Sequence, residues 1–489
     1  LDRGGRLPLS FRRSRHERLM GKSETISDVV VVGAGPGGLA AALEAARNSA
    51  SVSLLEADSV LGGNAARSTG YIAFQDFAMQ HEKGIVDSVE NFMSDMQDEI
   101  NRQSRRYGII FDTELATVFA EESSNTYDFL CDIGFTFNRF LPRPEQHRTD
   151  RMVDVSSTSM FRDLFEKPLL ENGVKIHRNT RALQLHTDEG AVRGVITDEE
   201  IFYASKGVVL ATGGYQANFA LRQRYQPEEA ATTPYLGTKY DVGDGHLMGQ
   251  AVGGDLINMT MIPELIMVGS AFVEDSIAIN NQGERFHDEA GPYDKRVAAL
   301  RNQPESKAWY IYDDPVATEK DALIAEMPSE AISAETVDQL AQKIGCEPAA
   351  LHRTLSRWNE TVESGTSIDP DYGRVIFPDP RRAIAEPPLY AVPMHIGINF
   401  PAGGFRTTKQ ANVINVFGQP IPGLYAVGDC AGGINPTIGL GGMRISAALT
   451  LGRIAGQAIA AGRKEETNNI SGVQGKGADE SSLKILPFG

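Results

Sequence analysis

The chain has 489 residues, of which 41% are hydrophobic, and 64 acidic side chains against 47 basic ones give a net charge of -17. This length fits two or three domains, or one large domain with an insertion. The negative charge argues against a nucleic-acid partner, because a phosphate backbone is bound by a basic surface.

Membrane and metal sites are not indicated by the sequence. It contains no run of about 18 apolar residues, so no membrane span is predicted. The cysteines, Cys131, Cys346 and Cys430, lie far apart and match no zinc or disulfide spacing. This use of cysteine indicates a reducing compartment, and we expect a cytoplasmic protein without a bound metal.

The first 25 residues are predicted to be a disordered extension. Residues 1–18 are rich in arginine and poor in acids, as in a transit peptide, while Met20-Gly21-Lys22 looks like a natural start. A transit peptide and translated upstream sequence both remain open for this segment.

A βαβ unit is the first structured segment. Val29–Val32 is a continuous apolar run, typical of a strand buried in a parallel sheet, and an alanine-rich helix is predicted over Leu39–Asn48. Between them, Gly33, Gly35 and Gly38 match G-x-G-x-x-G. These glycines permit a tight turn, a close approach of a pyrophosphate and close packing of helix on strand, respectively.

An acid completes the predicted dinucleotide site. Glu56 ends the next predicted strand, Val52–Glu56, where its carboxylate can accept hydrogen bonds from a ribose. A strand, a glycine loop, a helix and an acid in this order predict dinucleotide binding.

Further small-residue motifs favour FAD over NAD. Leu61–Asn64 and Arg67–Gly70 follow the ribose acid and can lie against a flat ring system, and Ala211–Gly214 closes a later apolar strand. Near the end of the chain, Gly428-Asp429 follows a third apolar strand and can hydrogen-bond a ribityl chain. The helix predicted after Gly442 can direct its positive end at the carbonyl edge of a flavin.

The predicted fold class is α/β, a Rossmann-like FAD-binding domain with a parallel sheet that is interrupted by an inserted α+β capping domain. We expect the FAD-binding domain in two parts, residues 26–255 and 393–463, with the capping domain, which contributes to the substrate site, at 256–392. The amphipathic stretch Ser333–Trp358 sets the insertion apart from the sheet segments. Residues 464–489 lack apolar periodicity and are predicted to be a flexible tail.

These motifs resemble those of the FAD-dependent fumarate reductase and 3-ketosteroid dehydrogenase flavoproteins. The resemblance covers residues 26–463, and its other carriers are Gly243-Asp244-Gly245, Asn281–Phe286 and residues 403–446. It implies an active site between the two domains. It also implies noncovalent FAD, because the attachment histidine of the membrane-complex members has no counterpart at Arg67–Gly70. The residues expected to bind FAD are Gly33, Gly35, Pro36, Gly37, Gly38, Glu56, Ala57, Gly62, Gly63, Asn64, Ser68, Thr69, Gly70, Ala182, Ala211, Thr212, Gly213, Gly214, Asp244, Gly428, Asp429, Gly442, Arg444 and Ile445.

Four positions that carry histidine or arginine in the fumarate-reducing branch are different here. The resemblance matches them to Leu265, to Tyr293, to Asn399 with Phe400, and to Gly439. A small dianion would be poorly held in such a pocket, since bidentate arginine contacts carry carboxylate recognition. The sequence therefore argues against fumarate reduction.

The ketone-dehydrogenating branch matches better. The resemblance implies that Tyr293 takes a proton alpha to a ketone, that the backbone N–H of Gly442 polarises the ketone oxygen, and that the flavin takes a hydride from the neighbouring carbon. An enolate forms readily only beside such an oxyanion donor. The second tyrosine of this branch is replaced by Ile438, which argues for a cyclic ketone smaller than a steroid, such as one that carries a carboxylate.

Several side chains are candidates for the substrate pocket. Thr437 or Asn435 is a possible replacement for the missing tyrosine donor. His395 either contributes to the pocket or is a satisfied structural histidine. The residues expected to line the pocket are Tyr71, Leu265, Asn399, Phe400, Ile438 and Gly439.

Three functions remain open from the sequence. The first is an FAD-dependent dehydrogenase that forms a C=C bond beside a ketone, and the second is a flavin-linked reductase of an activated alkene, in the manner of fumarate or urocanate reductases. The third is a flavoprotein scaffold without catalysis. The sequence has no C-x-x-C-H haem motif and no iron–sulfur cysteine set, so an external partner or O₂ is expected to exchange the electrons.

Overall fold

A computed structural model of the chain describes residues 22–105, 108–143, 145–226, 232–325, 327–398, 400–437 and 439–462. Most of the predicted N-terminal extension, the tail at 464–489, Asn399 and Ile438 lie outside these residues. No helix within the described ranges is long and apolar enough to cross a membrane.

The helices, labelled in chain order, are α1 Pro36–Arg47, α2 Ala78–Lys83, α3 Val89–Gln103, α4 Thr113–Asp132, α5 Met160–Asp163, α6 Glu166–Glu171, α7 Phe219–Tyr225, α8 Asp244–Ala251, α9 Tyr293–Arg301, α10 Asp314–Glu319, α11 Asp321–Ile324, α12 Val337–Ile344, α13 Pro348–Glu363 and α14 Met443–Ala461. The strands are β1 Ser23–Val32, β2 Val52–Leu55, β3 Tyr71–Ala73, β4 Phe137–Phe140, β5 Met152–Val155, β6 Lys175–His177, β7 Gln184–Asp188, β8 Ala191–Ile196, β9 Glu200–Leu210, β10 Leu256–Ile257, β11 Glu264–Ile266, β12 Ile277–Asn280, β13 Ala308–Tyr312, β14 Ile332–Ala334, β15 Leu389–Pro393, β16 Ile396–Ile398, β17 Gly404–Phe405, β18 Asn412–Ile414 and β19 Pro420–Ala426.

The central sheet has the strand order β18-β19-β9-β1-β2-β6, and the β7–β8 hairpin joins it beside β9. Strand β1 pairs in parallel with both β2 and β9, and β19 pairs in parallel with β9. The apolar run Val29–Val32 is buried, as expected for a strand covered on both faces. The predicted α/β fold with a parallel sheet is confirmed.

Two helices rich in small residues bring the first and last parts of the described chain together. Helix α1 is buried over nearly its whole length, and it packs against α14. A β-carbon at Gly452 or Gly456 would overlap the carbonyl oxygens of Gly37 and Ala41. Glycine at these positions therefore allows the two helix backbones to approach closely, so that the first and last elements of the fold enclose one space.

A second, antiparallel sheet lies in the inserted segment, with the order β12-β13-β15-β14. The amphipathic stretch Ser333–Trp358 forms the end of β14, helix α12, a turn at Gly345 and most of α13. Leu340, Leu355 and Trp358 from this stretch are buried in one apolar cluster with the sheet. The boundaries of the capping domain at 256 and 392 stay a prediction.

A smaller three-stranded sheet, in the order β3-β5-β4, begins with Tyr71. The segment between β4 and β5 is fastened to α3 and to the loop before it by Arg151. Its buried guanidinium forms ion pairs with Asp87, at 2.8 Å, and with Asp95. This network fixes the backbone around His147.

Candidate active site

A cavity of ≈ 570 Å³ lies at the carboxyl ends of the parallel strands. Gly33 follows β1, Glu56 follows β2, Ala211 follows β9 and Val427 follows β19, and all four line it. Ligands of open α/β sheets bind at this edge, because the strand-to-helix loops and helix N-termini converge there. Its size is within the usual range of cofactor and ligand sites.

The N-terminus of α1 faces this cavity. Its N-cap residue, Gly35, makes no side-chain cap, and a β-carbon at Gly35 would meet no atom within 4 Å. The first N–H groups of a helix lack intrahelical partners and carry the positive end of its dipole. Gly33 turns the chain with φ +100°, so the loop presents open backbone, suited to a pyrophosphate.

The carboxylate of Glu56 is held beside the same loop by backbone hydrogen bonds. Its two carboxylate oxygens accept hydrogen bonds from the N–H groups of Ala34 and Asp58, both at 2.7 Å. Burial raises the pKa of the Glu56 carboxyl. The carboxylate is thus fixed in place and lines the cavity, where a ribose can donate to its remaining lone pairs.

An acid that sequence patterns did not single out, Asp241, lies farther along the cavity wall. It is 3% exposed and accepts hydrogen bonds from the Asn64 amide and the Tyr235 hydroxyl, both at 2.6 Å. Burial raises the pKa of Asp241 to about 7. Its position two residues before the Gly-Asp-Gly motif was the only signal in the sequence, and it gave no chemical role.

Asp429 and Arg444 form an ion pair beside Phe400. The Arg444 Nη1 atom lies 3.0 Å from Asp429, and its guanidinium carbon lies 4.6 Å from the centroid of the Phe400 ring. All three residues line the cavity. Burial raises the pKa of Asp429, and the neighbouring Arg444 cation counteracts this effect.

The far part of the cavity brings together the predicted catalytic and substrate residues. Tyr293 is the first residue of α9, Leu265 lies on β11, and Tyr71 begins β3. These three, Phe400 and Gly442 all line the cavity. The Tyr71 hydroxyl donates to Glu274 Oε1 at 3.3 Å, and burial raises the pKa of Tyr71 well above its usual value.

Gly439 does not line the cavity, contrary to the prediction. Its N–H donates to Glu99 Oε1 at 2.9 Å, and a β-carbon there would overlap the side chains of Glu99 and Arg102. Arg102 pairs with Glu99 at 2.8 Å and also with Asp294. An ion pair from α3 therefore fills the space into which a side chain at position 439 would extend.

The closing loop is held by a histidine that sequence analysis missed. His147 Nε2 donates to the carbonyl oxygen of Gly441 at 2.9 Å, and its Nδ1 accepts from Arg151 Nη1 at 3.2 Å. Burial, with the nearby Arg151 cation, lowers the pKa of His147 to about 3, so the ring is neutral. Only its distance from the loop, almost 300 residues along the chain, hid this contact from sequence analysis.

The position of His147 determines where the Gly442 N–H points. The Gly441 carbonyl and the Gly442 N–H belong to one peptide unit, and in a trans peptide the two point in opposite directions. Gly442 has φ +77°, caps the N-terminus of α14 and lines the cavity. Because its carbonyl partner is anchored behind the loop, the N–H is directed away from His147, and no described residue accepts it.

Most of the predicted FAD-binding residues line the cavity, and a few glycines pack against neighbouring residues instead. Gly38 packs against the Gly33 carbonyl, as its helix-packing role requires, and a β-carbon at Gly70 would overlap Val155. The predicted FAD residues that line the cavity are Gly33, Gly35, Pro36, Gly37, Glu56, Ala57, Gly63, Asn64, Ser68, Thr69, Ala182, Ala211, Thr212, Gly213, Asp244, Gly428, Asp429, Gly442, Arg444 and Ile445. Gly38, Gly62, Gly70 and Gly214 do not line it.

The candidate replacements for the missing tyrosine are engaged elsewhere. The Asn435 amide donates to carbonyl oxygens of Gly428 and Ala431, and the Thr437 hydroxyl donates to the Ile434 carbonyl at 2.8 Å. Neither lines the cavity. His395 bonds through Nε2 to the Ser329 hydroxyl at 2.8 Å and is also absent from the lining, which agrees with a structural role.

Comparisons with known proteins agree with this geometry. The family model described as FAD binding domain matches residues 28–445. A fumarate reductase (cytochrome) of Shewanella frigidimarina is 31% identical over 458 residues, which cover 88% of this chain and 77% of that protein.

Solved structures from both branches are similar to the chain. The open conformation of a flavocytochrome c3 fumarate reductase has a TM-score of 0.70 at 28% identity, covering 92% of this chain and 81% of that one. The 3-ketosteroid-delta4-(5alpha)-dehydrogenase of Rhodococcus jostii has a TM-score of 0.63 at 25% identity, covering 90% and 98%. The sequence relative is a fumarate reductase and both branches occur among the similar structures, so the predicted closeness to the ketone branch is not confirmed.

Proposed function

Because the chain belongs to the FAD binding domain family and is an FAD-dependent oxidoreductase, we propose that it is a dehydrogenase that forms a C=C bond α,β to a ketone. The proposed substrate is a 3-ketosteroid or a smaller cyclic ketone, such as an oxocyclohexane carboxylate. The observation that carries the proposal is that Tyr293 and apolar Leu265 line one cavity with Gly442, and that the first two stand at positions where the fumarate-reducing branch would supply an arginine and a histidine.

The cavity residues fit FAD, which we propose is held without a covalent bond. Glu56 would accept from the ribose, the N-terminus of α1 would face the pyrophosphate, and Gly428-Asp429 would face the ribityl chain. The open backbone at Gly35 leaves room for the phosphates. When bound, FAD supplies the two-electron acceptor for a hydride from the substrate.

The protein's own groups would remove the proton and hold the ketone oxygen. Tyr293 takes the proton from the carbon next to the ketone, and the Gly442 N–H donates to the oxygen as negative charge develops there. The Arg296 guanidinium carbon lies 4.9 Å from the centroid of the Tyr293 ring, so a cation lies next to the proposed base. The C–H bond on the neighbouring carbon then breaks with loss of a hydride, which leaves the new C=C bond.

Replacement of Tyr293 tests this assignment. We expect Tyr293→Phe to retain FAD but to lose anaerobic bleaching of the flavin by cyclic ketones, with a rate loss of about 10²- to 10⁴-fold for a missing general base. Tyr240→Phe is the matched control, since Tyr240 also lines the cavity but has no proposed role in proton transfer. Bleaching by Tyr293→Phe at the wild-type rate would overturn the proposal.

A flavin-linked reductase of an activated alkene is the second candidate, favoured by the sequence identity to a fumarate reductase. Under this proposal, anaerobic protein with a reduced dye would oxidise the dye when fumarate or urocanate is added. No dye oxidation, together with bleaching by ketones, would favour the dehydrogenase.

The remaining proposals concern the electron acceptor, the cellular location and the capping domain. Electrons are proposed to leave to an external acceptor or to O₂, since the three cysteines are free and the sequence has no haem motif. We also propose a cytoplasmic location and a capping domain at 256–392, of which Leu265 and Tyr293 face the substrate.

A further inference from the structure

Asp241 is a buried acid of the cavity that has no cationic partner. It lines the cavity and is 3% exposed, and no positively charged side chain of the described residues lies within ion-pair distance of its carboxylate. Two other acids of the lining are neutralised. Asp244 pairs with Arg181 at 2.6 Å, and Asp429 pairs with Arg444 at 3.0 Å. Because an unpaired charge is costly to bury, the ionised form of Asp241 lacks the compensation that the other two acids have.

The structure around Asp241 leaves room for its carboxylate and holds it with neutral donors. The Oδ2 atom accepts hydrogen bonds from the Asn64 amide and the Tyr235 hydroxyl. The Oδ1 atom lies against Gly213, where the backbone has φ +73° and a β-carbon would come within 2.3 Å of that oxygen. Gly213 also lines the cavity, so the absence of a side chain there lets the acid reach the cavity wall.

The groups that act on Asp241 leave its charge close to balance at neutral pH. Burial raises the pKa of Asp241 to about 7; the Asp429 carboxylate also raises this pKa, and the hydrogen bonds from Tyr235 and Asn64 lower it. Cys430 lies close enough to interact as well, but burial raises the pKa of its thiol to about 12, so it is neutral. An additional charge in the cavity therefore decides whether Asp241 keeps its proton.

Two connections place Asp241 at the part of the cavity proposed for the flavin ring. Asp241 interacts electrostatically with Asp429, whose ion-pair partner lies two residues after Gly442. On the other side, Tyr235 forms a β-bridge with β16, and β16 pairs with β11, which contains Leu265. The acid is thus linked both to the closing loop and to the strand of a substrate residue.

Reduction of bound FAD adds a charge of the sign that Asp241 opposes. A flavin that accepts a hydride gains one unit of negative charge. Two negative charges about 10 Å apart, at an effective dielectric constant of about 20, disfavour each other by about tenfold in an equilibrium constant. Protonation of the carboxylate removes this repulsion.

We propose that Asp241 is a redox-linked proton acceptor, which takes up a proton from solvent when the bound flavin is reduced and releases it when the flavin is reoxidised. On reduction, the flavin gains a hydride from the substrate, and the carboxylate gains a proton and becomes a neutral acid. On reoxidation, an external acceptor takes the two electrons and the Asp241 O–H bond breaks. The inference requires FAD binding but not the ketone assignment, and it predicts that the reduced state is favoured as the pH falls.

A redox titration without substrate tests this inference. The FAD-loaded protein is reduced stepwise under anaerobic conditions against a dye of known potential, at several values between pH 7 and pH 9. The pH dependence of the midpoint potential counts the protons taken up with each two electrons. The flavin alone accounts for one proton, and for a tenfold effect we expect about half a proton more near pH 7.5 in the wild type.

Three variants assign the additional proton. Asp241→Asn is expected to take up one proton throughout this range, because its amide does not titrate. Asp255→Asn is the matched control, since Asp255 pairs with Arg406 at 3.5 Å and does not line this cavity, and it should keep the wild-type count. Tyr235→Phe removes a hydrogen bond that lowers the pKa of Asp241, so the additional uptake should move to higher pH.

Infrared difference spectra give a second readout that does not depend on any variant. At pH 8, reduction of the wild type should produce the band of a protonated carboxyl group, and Asp241→Asn should lack it. A count of one proton at every pH in the wild type, an unchanged count in Asp241→Asn, or reduction without a new carboxyl band would contradict the inference. Because no ketone is added, failure of the proposed dehydrogenation would leave these results unchanged.

Discussion

At the scale of single residues, burial decides the chemistry of Asp241. Its carboxyl has a pKa of about 7 in the folded protein, against a usual value of 3.8. Between these two pH values the folded protein keeps a proton that the unfolded chain has released, so the free energy of unfolding falls as the pH rises. Above pH 7 the full cost is present, and this pKa difference corresponds to at most about 4 kcal/mol.

Replacement of this acid by a neutral amide should reveal that cost. We expect Asp241→Asn to raise the thermal unfolding temperature of the FAD-free protein relative to the wild type, and to raise it more at pH 8 than at pH 5. The reason is that the amide does not ionise, whereas Asp241 must be desolvated as an anion at pH 8. Calorimetric scans at both pH values measure the difference, and a difference that does not depend on pH would contradict the assignment.

At the scale of elements, hydrogen bonds from a neighbouring segment fix the orientation of the Gly441–Gly442 peptide unit in the loop before α14. The Arg151 network fixes His147, and His147 fixes the Gly441 carbonyl. The Gly441 N–H in turn donates to the Gln146 side chain at 3.0 Å. Because bonds from the 141–151 segment hold the Gly441 carbonyl, the Gly442 N–H of the same peptide unit is directed away from His147. Under the proposed function, this fixed direction is the preorganisation that an oxyanion donor needs.

Loss of the His147 donor should weaken this preorganisation. We expect His147→Leu to bind FAD but to lose about 10²- to 10³-fold in the rate of ketone-driven bleaching, as for removal of one oxyanion donor. His147→Gln, whose amide can also donate to the Gly441 carbonyl, should recover part of the rate.

Phenols, which imitate an enolate, give a readout that general damage would not produce. For the wild type, affinity should rise with the acidity of the phenol, and the slope should be smaller in His147→Leu. Equal slopes in both proteins would show that His147 does not orient the donor.

At the scale of the whole molecule, the cavity is enclosed by segments from both ends of the described chain. Gly33 and Glu56 come from the first βαβ unit, whereas Gly428 and Gly442 come from the loop between β19 and α14. Between them, Leu265 and Tyr293 contribute from the inserted segment. A ligand that touches all three segments is bound by the folded chain and not by the unfolded one, so it stabilises the whole fold.

Removal of the cofactor should therefore lower the stability of the whole chain. We expect FAD at about 100 times its dissociation constant to raise the free energy of unfolding by about 2.7 kcal/mol over the FAD-free protein. FMN, which lacks the adenosine that would reach Glu56, should stabilise less at the same concentration. Thermal unfolding with each flavin measures the effect, and equal stabilisation by FMN and FAD would argue against the role of Glu56.

Local motifs account for what could be predicted. Gly33, Gly35 and Glu56 belong to one βαβ unit of about 30 residues, the usual length of such a unit, so their spacing along the chain already determines their spacing in the fold. The same holds for Gly428 and Gly442, which flank one loop before α14. Tyr293 was predicted because its position relative to the Arg285–Phe286 motif matched a family pattern, and its catalytic role stays a prediction.

Long-range contacts account for what could not be predicted. Gly439 was expected in the pocket, but Glu99 and Arg102 from α3 occupy the space beside it. Asp241 had only its position beside the Gly-Asp-Gly motif as a signal, and His147 had none, because the role of a buried acid or histidine is defined by its neighbours rather than by its spacing.

The amino-acid sequence by itself determined that the chain forms a parallel α/β sheet and binds FAD, since buried strands, glycine turns and the ribose acid are properties of short segments. Only the tertiary structure decided how the cavity is charged and how its donors are aimed. Glu56, Asp241 and Arg444 come from separate segments, and they line one cavity only when the chain has folded. The electrostatic energy of a charge depends on its distances through space to other charges, and those distances cannot be read from separations along the sequence.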